Sequence, residues 1–412
     1  IHQEQTGYAN LVLDAELKKC TPPLDSRDAA FAARIFYTTL ERLPLLDYRI
    51  NQFTKKPVAK LDAPVRAVLR AGLAQALYMN VPLPAAVNES VKLTRALGKS
   101  SAAGMVNAVL RRAAATDVSE ADFSDPLDRL SIYYCLSRPV AELFYAQFGA
   151  EAFPLAAAFY EKPKTTIRVN TLRTNDTDLT ALLQQEGHTV TPGPWPGALV
   201  VEFAGSPAAS AAFKKGLFHV QGLASQFAAL CVDAQGGKSL TLAEAMQDKG
   251  QLVSGEFVPA RVPLLQQAFD RCGITCAVAV ENDATQHNSD WPTFDRVLCD
   301  VPCSGLGVIA KKPDIRYKDL DGIENLLATQ QKILQNGADS LAENGRLVYS
   351  TCTVNDKENQ AQVEKFLSAN PDFHVVLPKT ALPGADITPL GTLFLPHRTG
   401  TDGFFAAILE RN

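Results

Sequence analysis

The chain has 412 residues, of which 46% are hydrophobic and 20% are charged, and its formal net charge is −4. This length is too great for one compact core, so two or three globular domains are expected. No run of eighteen apolar residues occurs and the first residues lack a basic-then-apolar pattern, so we expect neither a membrane span nor a signal peptide. The eight cysteines include no C-x-x-C pair, which argues against a disulfide scaffold or a zinc site and favours a cytoplasmic protein with reduced thiols.

Residues 1–122 are predicted to form an all-α domain. Apolar residues recur at three- and four-residue steps in Ala29–Leu40, Pro64–Tyr78 and Ala102–Ala115, with prolines between these stretches. Residues 1–120 hold 16 Lys and Arg against 11 Asp and Glu, a net charge of +5, while the remainder carries −9. A basic domain on an acidic body suits contact with phosphates, although ordinary solvated helix faces explain the charge equally well.

Residues 123–215 have a mixed character. Thr165–Asn170 and Leu199–Phe203 are predicted strands, and Asp176–Glu186 is a predicted helix. We therefore expect a small α+β linker module between two larger domains.

Strands and helices alternate in residues 216–412, which predicts an α/β, Rossmann-like domain with a doubly wound parallel sheet. Such sheets bind ligands at the carboxyl ends of their strands. The predicted strands are Gln251–Glu256, Cys276–Val280, Val297–Cys299 and Arg346–Tyr349, and the predicted helices are Pro259–Arg271, Gly322–Ala342 and Glu358–Ala369.

Acidic residues at two of these strand ends suggest a nucleoside-bearing cofactor. Glu256 could accept both hydroxyls of a ribose, and Asp283 could accept a hydrogen bond from an adenine amino group. Gly236-Gly237-Lys238 could open a helix beside the ligand, because glycines allow the backbone to approach closely. Each feature is weak alone, since an acid after a strand more often caps a helix.

Two cysteines and an acid follow the last two strands and indicate a specific chemistry. A thiolate that adds to carbon 6 of cytosine breaks the ring conjugation and makes carbon 5 able to attack an electrophilic methyl group. This reaction needs a nucleophilic thiol, an acid that holds the base and a group that assists release, and Cys352, Asp300 and Cys303 could supply them. The alternative is that both thiols are buried small hydrophobes, which is the role we expect for the other six cysteines.

Several stretches carry a resemblance to the RNA cytosine-5 methyltransferase family, in particular to its members that act on ribosomal RNA. The paired Pro-Cys and Thr-Cys motifs are its specific part, and the helical start resembles the RNA-binding antitermination factor NusB. The matching stretches are Asp300–Gly307, Lys312–Arg316, Leu347–Cys352, Thr401–Phe405, Arg168–Leu172 and Phe218–Gln221.

The resemblance implies how the site is used. It implies S-adenosylmethionine as the methyl donor, Cys352 as the nucleophile and Cys303 as the helper for release. It maps the contacts to the methyl donor onto Gly236, Gly237, Lys238, Glu256, Asp283 and Asp300. The expected substrate is a cytosine in 16S ribosomal RNA, and the expected state is a monomer without a membrane partner.

The chain departs from the family pattern ahead of Gly236. Glu256 replaces the usual Asp, and Gly222 stands where an acid is usual. Phe218–Val232 reads as a helix that runs almost directly into Gly236, so the first strand and most of the cofactor loop, on the order of a dozen residues, are lacking. Either the deletion is real and the protein inactive, or the natural chain carries further residues between Gln235 and Gly236. We favour the second, because without the strand its neighbours lose their ladder partners.

Three other functions stay open on the sequence alone. The substrate could be a transfer RNA, because no residue pattern separates the two RNA classes. A true deletion would instead favour a non-catalytic RNA-binding or assembly protein. A DNA methylase would use Cys303, and not Cys352, as the nucleophile.

Overall fold

The computed structural model describes residues 9–232 and 239–411, which fall into two compact units. The first unit comprises the residues up to Ala157 together with Lys311–Leu320, and the second comprises Ala158–Ala310 and the residues from Asp321 onward. No helix among the described residues is long and apolar enough to span a bilayer.

The first unit is helical. Local side chains cap the start of some of its helices: the Asp25 carboxylate accepts a hydrogen bond from the Asp28 amide, and Ser137 caps the helix that starts at Arg138. The helices are α1 (Ala9–Lys18), α2 (Ser26–Glu41), α3 (Leu43–Asn51), α4 (Ala63–Tyr78), α5 (Leu83–Ala96), α6 (Ala103–Ala115), α7 (Pro126–Asp128), α8 (Arg138–Phe148) and α9 (Ala152–Ala158).

The core of this unit lies between α3, α4, α5 and α6. Leu46, Ile50, Leu69 and Leu73 are fully buried in one apolar cluster. Close approach of α4 and α5 requires a glycine, because a Cβ at Gly72 would lie 2.4 Å from the Ser90 hydroxyl.

The first unit continues past residue 122, the predicted end of the helical domain. Leu45 of α3 packs in one cluster with Val118, Phe123 and Cys135, so the residues after α6 share its core. A distant segment also belongs to it: the Arg316 carbonyl accepts a hydrogen bond from the Ser137 amide at 2.7 Å. The domain boundary predicted at residue 122 therefore lies inside the first compact unit.

The second unit contains a small antiparallel sheet in the order β2-β3-β1-β4. Ile167, Leu179, Leu199 and Phe218 bury its inner face against a helix. Its elements are β1 (Thr166–Val169), α10 (Asp176–Gln185), β2 (Thr189–Pro192), β3 (Ala198–Glu202), α11 (Ala211–Lys214) and β4 (Phe218–Val220).

The prediction of one helix over Phe218–Val232 is wrong at its start. Phe218–Val220 forms β4, which pairs antiparallel with β1 and places Val220 opposite Ile167. The helix α12 begins only at Leu223 and ends at Cys231. Pairing with β1 makes these residues a strand, although their local pattern favours a helix. The local pattern does not reveal this pairing, because β1 lies far earlier in the chain.

The rest of the second unit alternates strands and helices. The elements are α13 (Ser239–Ala245), β5 (Leu252–Glu256), α14 (Val262–Cys272), β6 (Ala277–Glu281), β7 (Phe294–Asp300), α15 (Ile323–Asp339), β8 (Leu341–Thr351), α16 (Gln360–Ala369), β9 (Phe373–Val376), β10 (Asp386–Thr388), β11 (Gly391–Phe394), α17 (Pro396–Thr399) and β12 (Phe404–Arg411).

These strands form two separate sheets. The larger runs in the order β10-β11-β12-β8-β7, with β9 also paired to β12, and only its β7–β8 pair is parallel. The parallel pair β5–β6 stands alone. Within residues 9–232 and 239–411 no strand joins β5 to β7, so the predicted parallel sheet is interrupted between these two strands.

Candidate active site

The two sequence-predicted thiols meet at the carboxyl end of the larger sheet. The parallel strands β7 and β8 lie side by side, with Asp300 paired to Ser350 in the ladder. Cys303 follows β7 by three residues, and Cys352 comes directly after β8. Parallel strands end at the same edge, so residues 49 positions apart become neighbours.

The thiols are in direct contact. Their Sγ atoms are 3.1 Å apart, and both side chains are half-buried. The hydrogen bond with Cys352, followed by burial and by nearby negative charge, raises the pKa of Cys303 well above its ordinary value. Either sulfur can be the donor in this contact.

Asp300 ends β7 with an exposed carboxylate. Its Oδ1 atom accepts a hydrogen bond from the Ser350 hydroxyl at 3.0 Å, which fixes the carboxylate at the sheet edge. The structure thus brings Asp300, Cys303 and Cys352 to one edge, as the sequence predicted. A carboxylate and two thiols in this arrangement can hold a planar base and add a sulfur to it.

Two glycines fix the loop that carries Cys352. The Gly307 amide donates a hydrogen bond to the Cys352 carbonyl at 3.1 Å, and the Gly403 amide donates one to the Gly307 carbonyl at 2.8 Å. A Cβ at Gly307 would lie 1.9 Å from the Gly403 carbonyl oxygen. The Thr401–Phe405 stretch is therefore a packing partner of the thiol loops.

The acids predicted to hold a cofactor end the other parallel pair. Glu256, at the end of β5, keeps 27% of its side chain exposed, and its Oε1 atom accepts a hydrogen bond from the Val258 amide at 2.9 Å. Asp283 follows β6 and accepts hydrogen bonds from the hydroxyl and amide of Thr285, which lower the pKa of Asp283. The structure places both acids at one sheet end but in a different sheet from Asp300.

The predicted glycine loop lies at the gap in the described residues. Gly236, Gly237 and Lys238 lie outside them, so their role stays a prediction, as does the junction between Gln235 and Gly236. Ser239 opens α13, and its hydroxyl lies 2.7 Å from the Ser254 hydroxyl of β5. This contact ties the start of α13 to the strand that carries Glu256.

Two of the matching stretches are structural. Arg316 is fully buried, and its Nη1 atom donates to the Tyr134 carbonyl at 3.2 Å inside the helical unit. Asn170 is also fully buried, and its amide donates to the carbonyls of Gly216 and Cys272.

Sequence reasoning missed a buried carboxylate behind the thiols. Glu358 is fully buried, and it accepts hydrogen bonds from the loops that carry Cys303 and Cys352. The sequence placed it at the start of a helix, where an acid is ordinary. Nothing in the sequence around Glu358 marked it, because its burial depends on loops that come from distant parts of the chain.

Three family models match this chain. The model described as 16S rRNA methyltransferase RsmB/F matches residues 226–410, that of the NusB family matches 2–115, and that of the Methyltr_RsmF/B-like ferredoxin-like domain matches 140–206. With the strand-end thiols, these matches define an S-adenosylmethionine-dependent RNA methyltransferase that carries a NusB-like helical domain.

Curated relatives agree over nearly the whole length. The probable ribosomal RNA small subunit methyltransferase B of Synechocystis is 32% identical over 98% of this chain and 96% of its own length. The protein of the same name from Bacillus subtilis is 31% identical over 99% of this chain and 96% of its own. This chain belongs to the 16S rRNA methyltransferase RsmB/F family.

Solved structures show the same fold. The crystal structure of PH0851 has a TM-score of 0.77 at 24% identity and covers 94% of this chain and 91% of its own. The structure of NSun6 from Pyrococcus horikoshii has a TM-score of 0.59 at 22% identity and covers 66% of this chain and 97% of its own.

Proposed function

We propose that this chain methylates carbon 5 of a cytosine in 16S ribosomal RNA through a covalent bond between Cys352 and carbon 6. The observation that carries the proposal is the 3.1 Å contact between the Sγ atoms of Cys352 and Cys303 beside the Asp300 carboxylate. The substrate class is supported by relatives whose names specify the ribosomal RNA small subunit.

The nucleophile is assigned to Cys352 from its place in the Thr-Cys motif that the family resemblance marks. In this assignment the proton of the pair resides on Cys303, whose pKa the contact with Cys352 and burial raise, and an S–H donated by Cys303 stabilises the thiolate on Cys352. The thiolate forms a bond to carbon 6, the double bond between carbons 5 and 6 shifts to carbons 4 and 5, and the electron pair of the carbon 4–nitrogen 3 double bond moves onto nitrogen 3. Carbon 5 is then an electron-rich enamine carbon that can attack a methyl group. Asp300 accepts a hydrogen bond from the exocyclic amine and orients the base, which must be unpaired or flipped out of its stack.

Release reverses the first bond. The proton on carbon 5 passes to water, the double bond between carbons 5 and 6 re-forms, and the bond from carbon 6 to Cys352 breaks with its electron pair returning to sulfur. Cys303 donates its S–H to the departing thiolate, which lowers the barrier to leaving.

The residues at the end of the β5–β6 pair fit a nucleoside-bearing methyl donor. Glu256 presents a partly exposed carboxylate suited to ribose hydroxyls, and Phe257 beside it is 70% exposed and offers an apolar surface. Asp283 and Asp300 are the other two acids that we assign to binding of the methyl donor. When bound, S-adenosylmethionine supplies the electrophilic methyl group that carbon 5 accepts. The NSun6 structure, which contains SFG, an analogue of this donor, supports the choice.

The test is methyl transfer with a tritiated donor to 16S ribosomal RNA, transfer RNA and DNA in parallel. We expect label in ribosomal RNA, no label with Cys352→Ala, and a denaturation-resistant protein–RNA adduct that accumulates with Cys303→Ala. Label in transfer RNA alone would show that the substrate is transfer RNA and not ribosomal RNA. An adduct that is lost with Cys303→Ala but kept with Cys352→Ala would refute the assignment of the nucleophile.

A second candidate function is a non-catalytic RNA-binding or assembly protein. It is favoured by one observation, the separation of β5–β6 from the larger sheet among the described residues. Failure to bind the methyl donor, together with no transfer to any RNA, would establish this candidate in place of the enzyme.

A further inference from the structure

Glu358 is a carboxylate buried between the two thiol loops. Its side chain has no exposed surface. Its Oε2 atom accepts hydrogen bonds from the Ser304 amide at 2.7 Å and from the Gln330 side chain at 3.1 Å. Its Oε1 atom accepts from the Ser304 hydroxyl at 2.5 Å and from the Asn355 side chain at 2.9 Å. The Thr353 hydroxyl is a fifth donor, at 3.4 Å from Oε1. A buried carboxylate whose donors are all neutral is costly to place, and this cost calls for a reason.

The donors belong to the loops that carry the thiols. Ser304 directly follows Cys303, and Asn355 lies three residues after Cys352. The Ser304 hydroxyl also lies 2.8 Å from the hydroxyl of Thr353, the residue that directly follows Cys352. The Glu358 carboxylate therefore links Ser304, next to Cys303, to the loop that follows Cys352.

A third element holds the carboxylate in place. Gln330 of α15, fully buried, also donates to the Pro302 carbonyl at 2.9 Å, one residue before Cys303. The Tyr349 hydroxyl donates to the Glu358 carbonyl at 2.6 Å. Both sides of Cys303 are thus tied to Glu358, directly or through one amide.

We propose that Glu358 is a positioning residue for product release, holding the Cys303 loop against the Cys352 loop so that the two Sγ atoms stay in hydrogen-bond contact. This inference rests on the proposed function, because it assigns Glu358 to the release step of that reaction. Its effect passes through Cys303, and it touches neither the base nor the methyl donor.

The charge of Glu358 acts in the same direction as its contacts. It adds to the hydrogen bond with Cys352 and to burial in raising the pKa of Cys303. Cys303 thereby keeps its proton to a higher pH and remains available as the donor to the departing thiolate. Removing the charge should let Cys303 ionise at a lower pH.

Three variants separate charge, contact and fold. Glu358→Gln removes the charge and keeps the length of the side chain, whereas Glu358→Asp keeps the charge and withdraws the carboxylate from Ser304. Ser304→Ala removes one bond to the carboxylate and leaves Glu358 intact. Glu364→Gln is the matched control, because it removes an exposed carboxylate from α16 of the same segment.

The measurement follows adduct formation and release separately on a short cytosine-containing ribosomal RNA fragment with S-adenosylmethionine, from pH 6 to 10. We expect Glu358→Gln to form the adduct at close to the wild-type rate and to release it at least about tenfold more slowly. The alkaline limb of its release rate should move to lower pH. Ser304→Ala and Glu358→Asp should slow release without moving that limb, and Glu364→Gln should match the wild type.

The outcomes distinguish the two proposals. No adduct and no transfer with the wild type would overturn the proposed function. An active wild type, with release and pH profile unchanged in Glu358→Gln, would overturn the role of Glu358 alone. Equal loss of adduct formation and release in all three variants, with lowered melting temperatures, would reduce Glu358 to a structural residue and would also overturn the inference.

Discussion

Replacement of Gly307 by alanine tests whether backbone packing sets the position of Cys352. The added Cβ would lie 1.9 Å from the Gly403 carbonyl oxygen, 2.5 Å from its carbon and 2.8 Å from its Cα, whereas real contacts stay beyond 3.0 Å. The two backbones must separate by about 1 Å, and overpacking of this kind costs about 1–3 kcal/mol. Because the Gly307 amide donates a hydrogen bond to the Cys352 carbonyl, we expect the Cys352 thiol to shift when the Gly307 backbone shifts.

The rate of adduct formation should fall together with stability. A displacement of about 1 Å at a reacting group can cost roughly a hundredfold in rate. We expect Gly307→Ala to lower the rate of adduct formation by about that factor, measured by trapping the protein–RNA adduct at saturating RNA. A thermal melt measured in parallel should show the loss of about 1–3 kcal/mol in stability.

The control is Gly104→Ala. Gly104 lies in α6, and a Cβ there would meet nothing within 4 Å. Alanine should raise the free energy of unfolding by about 0.5–1 kcal/mol and leave adduct formation unchanged. A Gly307→Ala protein that forms the adduct at the wild-type rate would refute the link between Gly307 packing and Cys352.

Three further predictions concern stability. Burial raises the pKa of Glu244 to about 8, so stability falls as the pH rises from the ordinary range of a glutamate toward 8; Glu244→Gln should raise the melting temperature at pH 8.5 and hardly change it at pH 5. Arg316→Ala should lower the free energy of unfolding by about 3 kcal/mol in a denaturant titration, because the side chain is fully buried, whereas exposed Lys312→Ala should not. Hydrogen bonds from Cys276 and Thr275 outweigh burial and lower the pKa of Asp248 to about 2. Asp248→Asn should have a lower melting temperature than the wild type at pH 7. This difference in melting temperature should shrink as the pH falls from 3.8 toward 2.

The order of the elements and the place of the two thiols after adjacent strands could be predicted from the sequence. The strands that end at Glu256 and Asp300 were expected within a few residues of where they lie, because a buried strand shows its apolar run and its turn locally. Cys303 and Cys352 stood out because each follows such a strand. The segment predicted to be missing ahead of Gly236 stays a prediction, and among the described residues β5 and β7 lie in separate sheets.

Pairing across long sequence distances could be decided only by the tertiary structure. Phe218–Val220 continues the pattern of the helix after it, and only the ladder to β1 makes it a strand. The Lys312–Arg316 stretch looks like part of the methyltransferase domain, yet it packs within the helical unit. Glu358 reads as an ordinary helix-start acid until two loops fold over it.

The two thiols illustrate the difference between what the sequence determines and what the tertiary structure decides. Their identity and their place after adjacent strands are local properties that the sequence carries by itself. Their 3.1 Å contact is not, because it depends on the parallel register of β7 and β8 and on the loops beyond them. Local periodicity reports which residues form a strand, while the distance between two strand ends is set by hydrogen bonds between segments that no sequence window contains together.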